Sequence, residues 1–121
     1  MKSKYTGFKR ILMAFKYSFD GIRSCFNTEA AFRQDLLLCI IGWCVLPFLE
    51  IGFYTKVAMG LSLVFVILAE LINTAIERVV DRIGPEYNKL SKNAKDIGSA
   101  IVGITIFTVV VFWALMILHA L

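Results

Sequence analysis

The chain has 121 residues, of which 59% are hydrophobic, and its mean hydropathy is +0.75. Soluble domains are about 45–50% apolar, so this composition excludes an ordinary soluble globule, and the length allows one domain, residues 1–121. The net charge is +4, but the basic residues flank apolar blocks, which indicates anionic lipid headgroups rather than nucleic acid as the partner. No apolar–polar alternation of a membrane β-barrel is present, so helices are expected.

The first predicted element is an amphipathic helix over residues 5–28. Its apolar residues recur with the spacing of one helical face, while the charged residues fall on the other side. That pattern predicts a helix lying along a membrane surface; an amphipathic helix packed on a soluble core is the alternative. The apolar positions are Phe8, Ile11, Leu12, Phe15, Phe19, Ile22 and Phe26.

Three apolar blocks follow and predict membrane-spanning helices at about 30–49, 54–81 and 96–120. The first block is short, because only the fourteen residues 36–49 are free of charge and a span needs about 20 residues. The second continues its helical pattern through several carboxylates. Residues 82–95 are polar, contain Gly84-Pro85 and predict a connecting loop.

Basic residues predict the orientation of the spans. Seven occur up to Arg33 and five between Arg78 and Lys95, whereas the segment between the first two spans has only Lys56. Positive loops remain on the cytoplasmic side. The amino terminus and the 82–95 segment are therefore expected in the cytoplasm and the carboxyl terminus outside.

The second span carries a stripe of polar side chains. At 100° per residue, its five polar members share one helical face: Glu70, Asn73, Thr74, Glu77 and Asp81. Ionisable groups in a span are costly against lipid, so they face protein or a wet cavity. Neighbouring carboxylates repel each other unless a divalent metal or basic residues from other helices intervene. A structural polar seam between helices is the alternative.

Other polar residues stand at the cytoplasmic ends of the spans. Lys95-Asp96 precedes the third span, where the lysine either binds a phosphate as a point charge or anchors the helix end. Glu29 stands where the surface helix gives way to the first span. Ser99 and Gly103 form a small-xxx-small pair that suits close helix packing, although chance also explains it.

Five stretches of the sequence, spread over essentially the full length, resemble the prokaryotic diacylglycerol kinase family. They are TGFKRI (6–11), EAAFRQ (29–34), ELINTAIERVVDRIG (70–84), EY (86–87) and AKDIGSA (94–100). The pattern ExxNxAxExVVD is shared with undecaprenol kinase relatives. EAAFRQ, DRIGxEY and KDxGSA are similar to the Gram-negative diacylglycerol kinase branch.

The resemblance implies an architecture and an activity. The expected protein is an all-α membrane kinase of the bacterial inner membrane, with a surface helix and three spans per subunit. The expected assembly is a homotrimer with active sites shared between subunits. The expected reaction moves the ATP γ-phosphate to the free hydroxyl of diacylglycerol, giving phosphatidic acid, with Mg²⁺ or another divalent cation.

The resemblance also implies roles for individual residues. Glu70 is the expected general base, Asn73 supports the site, and Glu29 and Glu77 bind the metal. The expected nucleotide contacts are Arg10, Tyr17, Glu29, Glu77, Glu86, Tyr87, Lys95 and Asp96. The expected lipid contacts are Arg10, Ala31, Arg33, Gln34, Asp35, Glu70 and Ser99; Asp35 stands where the branch usually has Glu.

Three other functions are compatible with parts of this pattern. An undecaprenol kinase would perform the same chemistry on a polyprenol. A small proton or ion conduit would be lined by Glu70, Glu77 and Asp81, and would leave Glu29, Arg10 and Lys95 unexplained. A non-catalytic adaptor would tolerate loss of the stripe. Because three thin helices cannot enclose a site, the residues themselves also favour an oligomer.

Overall fold

A computed structural model describes residues 4–121 of the chain. Lys2, which contributed to the orientation argument, lies outside the described residues. Within them the protein is all-helical and has no strand. The helices are α1 (Gly7–Thr28), α2 (Ala30–Val45), α3 (Phe53–Ile83) and α4 (Lys89–Ala120), with a 3-10 turn at Leu46–Phe48 after α2.

Helix α1 has the amphipathic character that the sequence predicts. Its apolar face, which includes Phe8, Phe15 and Phe19, is exposed, and Cys25 is its one buried residue. Contacts with α2 and α3 are made near its carboxyl end, and α1 makes none with α4. An uncovered apolar face beside a charged face suits a helix at a lipid–water interface.

Three segments are long and apolar enough to cross a bilayer, so the chain has the architecture of a membrane protein. They are Ala30–Phe48, Phe53–Ile83 and Lys89–Ala120, of 19, 31 and 32 residues. At 1.5 Å per residue α3 is about 46 Å long, longer than a hydrocarbon core of about 30 Å. Part of α3 therefore extends beyond the hydrocarbon.

Helix α4 begins earlier than the sequence predicted. The side chain of Asn88 accepts hydrogen bonds from the backbone N–H groups of Leu90 (2.9 Å) and Ser91 (3.1 Å), which is the geometry of a helix N-cap. The expected loop at 82–95 is therefore wrong in extent, since α3 continues to Ile83 and only residues 84–88 connect it to α4.

Helix α3 is central, since it contacts each of the other three α-helices. Residues 53–69 of α3 are called here its tryptophan half, because two indoles bond to its backbone. Trp43 Nε1 donates to the Gly60 carbonyl at 2.9 Å, and Trp113 Nε1 donates to Met59 O at 3.2 Å and to Ser62 Oγ at 3.0 Å. Residues 70–83 are called the polar half.

Close helix packing in the tryptophan half depends on a glycine of α2. A Cβ placed on Gly42 would lie 2.9 Å from Leu63 Cδ1 and 3.3 Å from Trp113, so the missing side chain makes room on α2 for Leu63 of α3 and the Trp113 ring of α4. The predicted small-residue pair lies elsewhere: Ser99 and Gly103 are both exposed, and a Cβ on Gly103 would meet open space.

Candidate active site

The polar half of α3 begins with a buried carboxylate. Glu70 is 5% exposed, and it is the buried charged residue of the part of the chain that the structure describes. Its electrostatic neighbours are Asp35 on α2, Glu77 on α3 and Glu29 at the α1–α2 junction. Ionised carboxylates that interact repel each other, so a proton or a cation among them would relieve the repulsion.

Asn73 connects this cluster to α4. Its Nδ2 donates to Glu77 Oε1 at 3.2 Å, and its Oδ1 is buried with no hydrogen-bond partner among residues 4–121. That oxygen lies against Gly98, where an added Cβ would collide with it. Gly98 therefore leaves the space in which the Asn73 amide can orient the Glu77 carboxylate.

Glu29 is the single non-helical residue between α1 and α2. Its backbone is extended (φ −114°, ψ 110°), and its N–H donates to the Cys25 carbonyl at 2.9 Å. The half-buried carboxylate lies 4.0 Å from the guanidinium of Arg78. The junction between the surface helix and the first span thus brings Glu29 to the same region as Glu70.

The start of α4 supplies two ion pairs. Lys95 Nζ lies 2.7 Å from Asp81 Oδ1, and Lys92 Nζ lies 2.6 Å from Asp96 Oδ2. Asp81, a member of the predicted stripe, is therefore the partner of Lys95. These side chains are more than two-fifths exposed, and exposed pairs contribute only about 0–1 kcal/mol, so the pairs orient the groups more than they stabilise the fold.

A cavity of about 270 Å³ lies where α3, the 84–88 connection and α4 meet. Four of the expected nucleotide contacts line it: Glu86, Tyr87, Lys95 and Asp96. A Cβ on Gly84 would come within 2.6 Å of the Glu86 carboxylate, so the glycine permits this carboxylate to fold back toward the end of α3. The cavity thus gathers residues that are separated along the chain.

The remaining expected contacts are not brought to this cavity within one chain. Arg10 and Tyr17 are exposed on α1, the helix that makes no contact with α4. Among the expected lipid contacts, Arg33 donates from Nη1 to the Phe26 carbonyl at 2.8 Å. Three others are exposed: Ala31, Gln34 and Ser99.

The donor set fits a hard divalent cation that also binds phosphate. Residues 4–121 contain no group of three or more His, Cys, Asp or Glu side chains arranged to hold a metal by themselves. Mg²⁺ is commonly held by one or two carboxylates together with substrate phosphates. Glu29 and Glu77 both interact with Glu70, and Asn73, which binds Glu77, carries a further hard oxygen without a partner among the described residues.

One contributor, Arg78, was missed in the sequence, where it counted only as a basic residue flanking the span. Its guanidinium donates to Ser24 Oγ at 2.8 Å and to Thr28 Oγ1 at 2.5 Å, both on α1. The available signal was positional. Arg78 follows Thr74 by one helical turn, and Ser24 and Thr28 are likewise one turn apart.

Known proteins give an independent comparison. The sequence profile of the family described as prokaryotic diacylglycerol kinase matches residues 16–117. The diacylglycerol kinase of Escherichia coli (strain K12) is 41% identical over 116 residues, covering 96% of this chain and 95% of that protein. That of Pseudomonas aeruginosa is 41% identical over 113 residues, covering 93% and 92%. That of Haemophilus influenzae is 39% identical over 113 residues, covering 91% and 93%.

These matches confirm the resemblance indicated by the motifs, since they extend over nearly the whole of both chains. They also agree with the architecture, in which three long apolar helices and one amphipathic helix form the described part of the protein. The chain belongs to the prokaryotic diacylglycerol kinase family.

Proposed function

We propose that this chain transfers the γ-phosphate of ATP to the free hydroxyl of diacylglycerol, giving phosphatidic acid and ADP. Family membership supplies the reaction class. The observation that carries the assignment of the site is Glu70, a buried carboxylate within the span α3. Its electrostatic neighbours are Glu29, Asp35 and Glu77. A buried carboxylate in a span is a functional group by default, because lipid exposure is so costly.

Glu70 accepts the proton of the lipid hydroxyl while the hydroxyl oxygen attacks the γ-phosphorus. The bond from that phosphorus to the bridging oxygen breaks, and the electron pair leaves with ADP. Glu70 and Glu77 are separated by about 10 Å along α3, a distance that a triphosphate reaching toward a lipid hydroxyl can span. Phosphoryl transfer depends mainly on positioning and electrostatics.

Glu29 and Glu77 hold the divalent cation, for which Mg²⁺ is the natural candidate. When bound, the cation supplies neutralisation of the phosphate charge. Asn73 keeps the Glu77 carboxylate in place. Lys95 carries three donors and uses one on Asp81, so the others remain for a phosphate oxygen.

The complete site belongs to a homotrimer with sites shared between subunits. Support for this part of the proposal is the separation of Arg10 and Tyr17 from Lys95 and Asp96 within one chain. A neighbouring subunit can bring α1 to the cavity at α4. The lipid contacts at residues 31–35 and Ser99 belong to the same proposal, and the exposure of Ala31, Gln34 and Ser99 leaves them free for substrate.

The proposed location is the bacterial inner membrane, with residues 1–121 forming one domain. Positive-inside bias supports a cytoplasmic amino terminus and a cytoplasmic 84–88 connection, with the carboxyl terminus in the periplasm. The nucleotide residues around that connection then face the compartment that contains ATP.

Phosphate transfer from labelled ATP to diacylglycerol in mixed micelles tests the proposal. We expect Glu70→Gln to lower kcat by about 10²–10⁴-fold, the usual contribution of a general base, and Glu77→Gln to abolish the response to Mg²⁺. Glu50→Gln, at an exposed residue between α2 and α3, is the matched control and should retain full activity.

Full activity in Glu70→Gln or Glu77→Gln would contradict the mechanism. Faster phosphorylation of undecaprenol than of diacylglycerol would show that the lipid substrate is a polyprenol, and the protein would then be an undecaprenol kinase. Ion flux into liposomes without ATP turnover would replace the reaction class and identify a conduit. A wild type with neither ATP turnover nor ion flux would identify a non-catalytic adaptor, for which Glu70→Gln changes nothing.

A further inference from the structure

Arg78 of α3 connects two successive turns of α1. Nη1 donates to Ser24 Oγ at 2.8 Å, and Nη2 donates to Thr28 Oγ1 at 2.5 Å and approaches the Ser24 carbonyl at 3.5 Å. A planar guanidinium presents several donors in fixed directions. It can therefore hold both hydroxyls at once and fix the position of the carboxyl end of α1 on α3.

The same guanidinium lies beside the junction residue. Arg78 Nη2 is 4.0 Å from Glu29 Oε1, and Glu29 directly follows Thr28, which Arg78 binds. The arginine thus fixes the residue before the junction and faces the carboxylate at the junction. Glu29, which it faces, is one of the carboxylates that interact with Glu70.

Helix α1 needs positive charge at this end. The carbonyl end of a helix carries a partial negative charge, yet the last turn of α1 contains no basic residue. Neighbouring helices supply it: Arg33 of α2 donates to the Phe26 carbonyl at 2.8 Å, and Arg78 of α3 approaches that of Ser24. The guanidinium of Arg78 therefore lies both against the carbonyl end of α1 and opposite the adjoining Glu29.

We infer that Arg78 is a positioning residue that sets the Glu29 carboxylate for the divalent cation of the phosphoryl-transfer site. This inference rests on the proposed function, in which Glu29 is a metal ligand. One turn before Arg78, Thr74 meets Cys25 of α1 (Sγ to Oγ1, 3.5 Å). This second contact keeps α1 docked when the guanidinium is removed. Loss of Arg78 therefore changes the orientation of the Glu29 carboxylate rather than the fold.

Binding of Mn²⁺, followed by electron paramagnetic resonance in detergent with a non-hydrolysable ATP analogue, measures this role without turnover. We expect Arg78→Met, which keeps most of the apolar stem, to weaken Mn²⁺ binding by about 10–100-fold, the usual effect of losing a group that orients a metal ligand. The KM for diacylglycerol should change by less than about twofold, because the guanidinium does not touch the lipid hydroxyl in this scheme. Arg78→Lys should restore only part of the Mn²⁺ affinity, since an ammonium group lacks the planar arrangement of N–H donors that a guanidinium presents.

Arg23→Met is the matched control. Arg23 is an exposed residue of α1 directly before Ser24, so the variant removes the same charge close by in the chain without touching the contacts of Arg78. Its Mn²⁺ affinity should equal that of the wild type. Equal weakening in both variants would overturn the inference, because it would show a general effect of surface charge.

The double variant Ser24→Ala/Thr28→Val tests the same contacts with Arg78 retained. It should weaken Mn²⁺ binding in the same direction, and its effect should not add to that of Arg78→Met, because the groups act as one unit. It also decides the question if Arg78→Met fails to fold. An Mn²⁺ affinity equal to that of the wild type, in a folded Arg78→Met variant or in the double variant, would overturn the inference but not the proposed kinase activity. A wild type that does not phosphorylate diacylglycerol would instead contradict the proposed function.

Discussion

The two halves of α3 are stabilised in different ways. In the tryptophan half, Trp43 and Trp113 donate to backbone carbonyls, and Gly42 makes room for the side chains of Leu63 and Trp113. In the polar half, Glu70 lies among other carboxylates and Asn73 keeps an unpartnered oxygen. A buried polar group without a partner costs about 1–3 kcal/mol. The tryptophan half thus satisfies these polar groups within the protein, whereas the start of the polar half leaves Glu70 and the Asn73 oxygen available to a ligand.

This difference separates stability from activity along one helix. Changes in the tryptophan half should unfold the protein with little effect on the chemistry of molecules that remain folded. Changes in the polar half should impair the chemistry with little effect on unfolding. Single substitutions in each half can test that separation.

Among the substitutions that compare the two halves, the largest effect is expected from Gly98→Ala, which acts on the polar half. The new Cβ would displace the Asn73 amide, whose flexible side chain moves more easily than the helices, and the hydrogen bond to Glu77 would be lost. Misplacement of a site group by about 1 Å commonly costs 10²-fold, so kcat/KM should fall by about 100-fold, or about 2.7 kcal/mol. The unfolding midpoint in SDS should hardly change.

Gly103→Ala provides the control on the same helix, because a Cβ there meets open space. It should retain the kinetics of the wild type. If Gly98→Ala is fully active, Asn73 does not orient Glu77 and the contrast between the halves fails on the polar side.

The next effect is expected from Gly42→Ala, which acts on the tryptophan half. Its Cβ would press on Leu63 and the Trp113 ring, and such overpacking costs about 1–3 kcal/mol. The free energy of unfolding in SDS–detergent mixtures should fall by that amount, while kcat of the folded fraction stays within about twofold. Gly21→Ala, at an open position on α1, should not destabilise the protein, and a Gly42→Ala variant as stable as wild type would show that α2 can move away.

The smallest effect is expected from Asp81→Asn. The variant removes the charge that faces Lys95 but keeps a similar shape, and both side chains are substantially exposed. A contribution of roughly 0.4–1 kcal/mol corresponds to about a two- to fivefold rise in the KM for ATP, with unchanged stability. Steady-state kinetics at saturating diacylglycerol measures it; a loss of kcat by more than about tenfold would place Asp81 in the chemistry instead.

Periodicity and charge predicted most of the architecture, because helix faces and apolar length are local properties of the chain. The surface helix, the three spans and the stripe of α3 came from such patterns. The early start of α4 was missed because one side chain, Asn88, decides it. The segment after it was polar enough to be interpreted as a loop.

The candidate site was likewise predicted only in part from the sequence. The family motifs indicated which residues to consider, but they did not show that the stripe separates across two neighbouring helices. Of its members, Asn73 and Asp81 contact α4, whereas Thr74 contacts α1. Arg78, which lies outside the stripe, also contacts α1. Cross-helix partners depend on how the helices pack, and the spacing along one helix contains no information on that.

Helix α1 is held at one end only, because its last turns contact α3 and Glu29 joins it to α2. Helix α1 has 22 residues and is about 33 Å long, so a tilt of about 10° about Glu29 would sweep its far end, near Arg10, through about 6 Å. The carboxylate at the pivot would hardly move. A surface helix can therefore follow undulations of a bilayer at its free end while the residue at its base keeps its distance from Glu70 and Glu77.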